Sequence, residues 1–131
     1  MIYTLKIALS RWHAVLEVDS STTLNELHVA IQNVVKFDSD HMYEFFIART
    51  ANSRDKRHYD MEDGSLDTTR VADVLPLPKD RKLFYLFDYG DNWIFRVSMT
   101  RTKPSEPEKG VQYPRLIKEV GERPEQYPDY E

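Results

Sequence analysis

Apolar residues recur at two spacings along this chain, and the change from one to the other marks its first elements. Residues 2–9 alternate, with Tyr3, Leu5, Ile7 and Leu9 on one side and Ile2, Thr4, Lys6 and Ala8 on the other. Period two is the mark of a strand with one buried face, and the Tyr3 set is assigned to the core. After Ser10 and Arg11, Trp12, Ala14, Leu16 and Val18 alternate with His13, Val15 and Glu17, so a second strand pairs back on the first. Thr23-Leu24-Asn25-Glu26 then has the form of a capping box, in which a hydroxyl and a carboxylate satisfy backbone donors left open at a helix start. Leu24, Leu27, Ile31, Val34 and Val35 follow at helical spacing and predict an amphipathic helix laid on the sheet. His28 falls at the edge of that stripe, as a packed or hydrogen-bonded structural histidine, and His41 begins the next segment as a loop residue.

Tyr43, Phe45 and Ile47, alternating with Glu44, Phe46 and Ala48, predict a third strand. Segment 60–67 (DMEDGSLD) reads as an acidic turn, because its ligand positions do not match a calcium-binding loop. Segment 68–74 predicts one short helical turn that carries Val71, Val74 and Leu75 inward and is ended by Pro76 and Pro78. Residues 83–87 are apolar on both faces, as in an interior strand, and Trp93, Phe95, Val97 and Met99 form the core side of an outgoing strand. Between them Asp88, Tyr89, Gly90, Asp91 and Asn92 predict a hairpin turn, with Gly90 expected to supply positive φ.

From Lys103 onward five prolines come with many charges, which predicts an extended arm with Leu116, Ile117 and Val120 in one helical turn. The expected architecture is therefore α+β, a mostly antiparallel or mixed sheet of about five strands with one main helix on a face. Its order is ββαβ, a short helix, then ββ, with a β-grasp-like topology as the leading arrangement. Residues 1–102 are expected to form a single domain, and 103–131 a Pro-rich charged arm packed on it with a frayed end.

Composition narrows the class of protein. The 131 residues, 40% of them hydrophobic, suffice for one core. Cysteine is absent, which excludes disulfides, thiolate nucleophiles and cysteine-based zinc sites. No apolar window reaches the roughly 20 residues of a membrane span, and no signal-peptide pattern opens the chain, so a soluble cytoplasmic protein without a membrane partner is expected. A net charge of -4 weighs against broad binding to phosphate backbones.

Candidate chemistry concentrates in the hairpin turn. Asp88 and Asp91 flank Gly90 and would be close enough to share a proton or hold a metal if both faced a cleft; turn capping is the plainer role. Trp93 is either a core residue or, if exposed, a binding anchor. The four histidines lack metal-ligand spacing, and no nucleophile elbow, HExxH, P-loop or dinucleotide fingerprint is present. Loop 49–58 (RTANSRDKRH) offers Arg49, Arg54, Lys56, Arg57 and His58 to a phosphate, but without interleaved aromatic residues and with Asp55 diluting it.

Several stretches carry a resemblance. These are Leu24-Asn25-Glu26-Leu27-His28 with Ile31-Gln32, Ser39-Asp40-His41 before Tyr43-Glu44-Phe45, and above all Tyr85-Leu86-Phe87-Asp88-Tyr89-Gly90-Asp91-Asn92-Trp93, with Tyr113-Pro114-Arg115 further on. In these the chain resembles the Ri-plasmid ORF-3-like family, also labelled transposon-passenger or TnpR-like. The resemblance implies an association with mobile elements and no particular reaction. Two departures stand out: Phe95 where the family often has histidine, and Arg123-Pro124-Glu125-Gln126 in place of a cysteine-bearing, glycine-rich motif. The expected function is a non-catalytic module that binds a protein or peptide through Asp88, Tyr89, Asp91 and Trp93, with no cofactor or metal. A small hydrolase or metal-dependent enzyme using Asp88 and Asp91 with His28 or His41 is the second reading. Nucleic-acid contact through loop 49–57 is the third.

Overall fold

The computed structural model of the protein describes residues 1–127. In chain order it contains β1 (Ile2–Leu9), β2 (Trp12–Asp19), α1 (Leu24–Val35), β3 (Tyr43–Ala48), β4 (Arg57–Tyr59), α2 (Ser65–Thr68), α3 (Val71–Val74), β5 (Lys82–Phe87), β6 (Trp93–Met99) and β7 (Arg115–Val120). The strands make one sheet in the order β4-β3-β5-β6-β1-β2-β7, every pairing antiparallel.

The capping box forms as the sequence predicts. Thr23 Oγ1 accepts from the Glu26 N–H at 3.1 Å, and Glu26 Oε1 accepts from the Thr23 N–H at 3.0 Å. The helix ends at Lys36, which turns left-handed at φ 63°. Leu24, Leu27, Ile31 and Val35 are buried in one cluster with Leu5, Ile7, Leu16, Tyr85, Phe95 and Val97, so α1 closes one face of the sheet. The other face carries a smaller cluster of Phe46, Ala48 and Phe84, with Ala51, Leu86 and Ile94 against it. There Lys56 Nζ lies 4.5 Å from the Phe46 ring centroid, so the basic loop folds over this face.

The sheet has seven strands where about five are predicted, and three helices where one main helix and a short turn are. β4 is only three residues long and straddles the end of the basic run, where no alternation stands out. β7 is the second addition: Leu116, Ile117 and Val120 sit on a strand paired with β2, and not in a helical turn. Val15 pairs with Lys118 and Leu16 with Leu116, so Ile117 is the extra residue of a β-bulge, which spoils the period-two signal. The antiparallel β1 and β6 pairing departs from the β-grasp-like arrangement. Residues 128–131 of the predicted arm lie outside the described residues. At the hairpin turn, positive φ belongs to Asp88 (65°) and Asn92 (54°), and not to Gly90. Both side chains are short and polar, the types that enter the left-handed region most easily after glycine.

Candidate functional site

The turn between β5 and β6 is held by one buried carboxylate. Asp88 Oδ1 accepts from the N–H groups of Gly90 at 3.0 Å and Asp91 at 3.3 Å. The Asp88 N–H donates to Met42 O at 2.9 Å, and the Asn92 N–H to Asp88 O at 2.6 Å. These bonds limit the freedom of the turn, since four of its backbone donors and the Asp88 carbonyl have partners. The remaining carboxylate oxygen, Oδ2, lies 3.4 Å from His41 Nε2. That nitrogen is also 2.8 Å from Tyr127 Oη and 3.4 Å from Asp40 Oδ1, while the Tyr127 hydroxyl donates to Asp40 Oδ2 at 3.0 Å. Gln126 extends the tie, accepting from the Asp38 N–H at 2.5 Å and donating to Asp38 O at 3.2 Å. The segment after β7 is thus fastened to the loop between α1 and β3, beside the turn.

The two aspartates of the turn have unlike roles. Asp88 is buried and engaged with backbone and His41, whereas Asp91 is exposed and gives the cap only its backbone N–H. His28 is not part of this group. It stacks on Tyr43 with ring centroids 3.6 Å apart, and its Nδ1 is 2.5 Å from Tyr85 Oη. Gln32 Nε2 donates to the same hydroxyl at 3.0 Å, and Ser39 Oγ donates to Gln32 Oε1 at 3.3 Å. With His28 Nδ1 unprotonated, the Tyr85 hydroxyl donates to it while accepting from Gln32, the tautomer that gives the buried O–H an acceptor. Burial pushes the His28 pKa down to about 4 and the Tyr85 phenol far above its ordinary value. His58 pairs with Glu44 at 2.5 Å, and His13 lies on β2. Among the described residues no group of three His, Asp or Glu side chains is arranged to hold a metal.

The aromatic residues of the turn open on two different hollows. Tyr89 is 43% exposed and donates to Tyr43 O at 3.3 Å. It lines a hollow of about 350 Å³ with Met42, Glu44, His58, Asp60, Met61 and Glu62. Burial, and then the nearby carboxylates of Glu44, Asp60 and Glu62, raise its phenol pKa. Trp93 packs edge-on against Phe37 at 5.0 Å, and its indole N–H is buried without a partner. It borders a groove of about 790 Å³ lined by Leu9, Ser10, Arg11, Trp12 and the segment 121–125. Gly121, at φ 88°, lets that segment close on the turn between β1 and β2, since a Cβ there would stand 2.4 Å from Arg11 O.

The basic loop is largely engaged within the molecule. Arg49 lies 3.8 Å from Asp80, Lys56 covers Phe46, and the Arg57 guanidinium sits 5.1 Å from the Tyr59 ring centroid. The sequence reading missed the convergence of His41, Gln126 and Tyr127 on the turn, and the two methionines beside Tyr89. The first has no local signal, because Gln126 and Tyr127 lie 86 or more positions from their partners in loop 38–41, and His41 is far in sequence from Asp88.

A seven-stranded antiparallel α+β sheet with one long helix on a face, and a hairpin turn capped from within, define the class of this protein. The chain belongs to the plasmid pRiA4b ORF-3-like protein family, whose model matches residues 1–127. It is 28% identical over 104 residues to the uncharacterized protein y4hQ of Sinorhizobium fredii (strain NBRC 101917 / NGR234), across 77% of this chain. The match covers 50% of that protein, so the chain spans about half the length of the curated relative it matches. The crystal structure of the protein of unknown function MM3350 from Methanosarcina mazei Go1 is similar with a TM-score of 0.72 at 23% identity. That similarity covers 90% of this chain and 68% of the other, and it shows the shared fold. Among the described residues no helix is long and apolar enough to cross a membrane.

Proposed function

We propose that the protein is a non-catalytic binding module that holds a segment of a protein partner against turn 88–93. One observation carries this reading: the turn's buried acid is committed to its own backbone while its two aromatic residues line open hollows. Tyrosine and tryptophan supply large contact area with few torsions to freeze, and a turn already locked by Asp88 adds little ordering cost on binding. The expected site is Tyr89 and Trp93 as contacts, Asp88 as the residue that sets their positions, and exposed Asp91 at the rim. A hydrolytic reading through Asp88 and Asp91 gains no support from this geometry, because two backbone donors already occupy one oxygen of Asp88.

Photo-crosslinking tests the proposal. A benzophenone amino acid is placed at Tyr89, at Trp93 and, as a control, at exposed Arg101 in the full chain expressed in cells. Discrete adducts from position 89 or 93 that are absent from 101, and that excess unlabelled protein competes away, support it. The same adducts from all three positions, or none from 89 and 93, refute it.

A further inference from the structure

Large apolar side chains crowd the hollow beside Tyr89. Met42 is 51% exposed, Met61 52% and Tyr89 43%, and the three line one depression. Such side chains are ordinarily scattered singly over a surface, and three together mark a place for contact. Methionine is also the side chain best able to reshape itself around an incoming group. The rim of the same hollow carries Glu44, Asp60 and Glu62, and the lining holds no lysine or arginine among the described residues. His58 pairs with Glu44, and Asp60 Oδ1 accepts from the Glu62 N–H at 3.0 Å, whereas the Glu62 side chain makes no hydrogen bond or ion pair among the described residues. The lining of the hollow comes from the start of β3, from the edge strand β4 with the segment after it, and from turn 88–93.

We infer that this hollow takes a basic segment of a partner protein, an apolar side chain entering between Met42, Met61 and Tyr89 while flanking lysines or arginines meet Asp60 and Glu62. The inference rests on the binding-module reading and names the partner chemistry for the Tyr89 side of the turn. Charge complementarity decides between occupants. An acidic peptide or a nucleic-acid backbone would set like charges against Asp60 and Glu62, while a basic segment gains from both.

The four methionines supply the test, because Met42 and Met61 line the hollow while Met1 and Met99 lie elsewhere and serve as internal controls. The full chain, labelled at the methionine methyl groups, is titrated by NMR with a synthetic lysine–leucine peptide, with its glutamate–leucine counterpart and with a lysine–serine peptide. The expected result is saturable shifts at Met42 and Met61 with the lysine–leucine peptide alone, weakened as salt rises to about 0.5 M. Charge reversal by E62K, at an exposed residue, should weaken binding about fivefold, the scale of one surface ion pair. D60N, which keeps an acceptor for the Glu62 N–H, is a second variant with the same direction.

Shifts confined to Met1 or Met99, or affinity unchanged in both variants, overturn the inference. Equal binding of the glutamate–leucine peptide overturns the basic partner, and equal binding of the lysine–serine peptide overturns the apolar anchor. Absence of any shift also overturns it, yet leaves the crosslinks from positions 89 and 93 to decide the binding-module reading separately.

Discussion

Acidification should weaken this fold through a single buried ring. His28 has its Nδ1 facing the buried Tyr85 hydroxyl, and a proton on Nδ1 would take away the acceptor for that O–H while placing a charge in the core. Burial holds its pKa at about 4, against an ordinary 6.5 in the unfolded chain. The folded state therefore binds fewer protons than the unfolded state throughout the interval between those values. Stability from this site is complete above about pH 6.5, falls as pH drops toward 4, and is flat below. The slope approaches ~1.4 kcal/mol per pH unit, and the total is about 2 to 3 kcal/mol after allowance for residual solvent contact. Denaturant melts of the wild type and of H28L between pH 7.5 and pH 4 isolate it, because the surface carboxylates titrate in both proteins. H28L should be less stable at neutral pH, since Tyr85 loses its acceptor, but the gap should narrow by about 2 kcal/mol or more on acidification. Parallel curves, or a His28 ring signal that titrates near 6.5 in NMR, would refute the reasoning.

Other expectations follow from the same packing. Tyr85→Phe leaves His28 and Gln32 without their shared partner and should cost about 1 to 3 kcal/mol, read as a lower urea midpoint at unchanged m. Gly121→Ala adds a Cβ where Arg11 O stands 2.4 Å away at a φ of 88°, so it should cost about 2 to 4 kcal/mol or lift segment 121–125 off the turn between β1 and β2. Thermal melting measures the first outcome, and iodide quenching of tryptophan fluorescence the second, since Trp12 and Trp93 both line the groove beside that segment. Asn92→Val, at φ 54°, should destabilise by about 1 to 2 kcal/mol, and Gly90→Ala by less, because Gly90 does not occupy the left-handed region. Equal losses in those two variants would show that strain in the turn is not where the backbone places it.

The contrast between Gly90 and Asn92 shows what a linear reading can reach. That a turn exists between Phe87 and Trp93 is evident from composition; which residue takes the unusual dihedral depends on how Asp88 caps the loop, and glycine was only the conventional choice. The helix was legible because its capping box and its apolar stripe are both local. β7 was not, because an edge strand buries little and its bulge at Ile117 breaks the alternation that would have revealed it. β4 failed for a related reason, being too short to show a period. Of the four site residues named from sequence, Asp88 proved to be the organiser of the turn, and Tyr89 and Trp93 face separate hollows. The acidic and methionine-rich surroundings of Tyr89 come from three segments, and only the fold assembles them.

The place of β6 in the sheet has a consequence for how the chain is made. It lies between β5 and β1, with Leu5 facing Met99, so the first strand finds its inner neighbour only when the sixth has been synthesised. The first hairpin and α1 emerge from the ribosome long before that, and they wait on the order of ten seconds at ordinary elongation rates with an open strand edge. Pairings between such distant segments also slow folding itself. A nascent-chain complex stalled before residue 93 should therefore recruit chaperones, and one stalled well past β6 should release them.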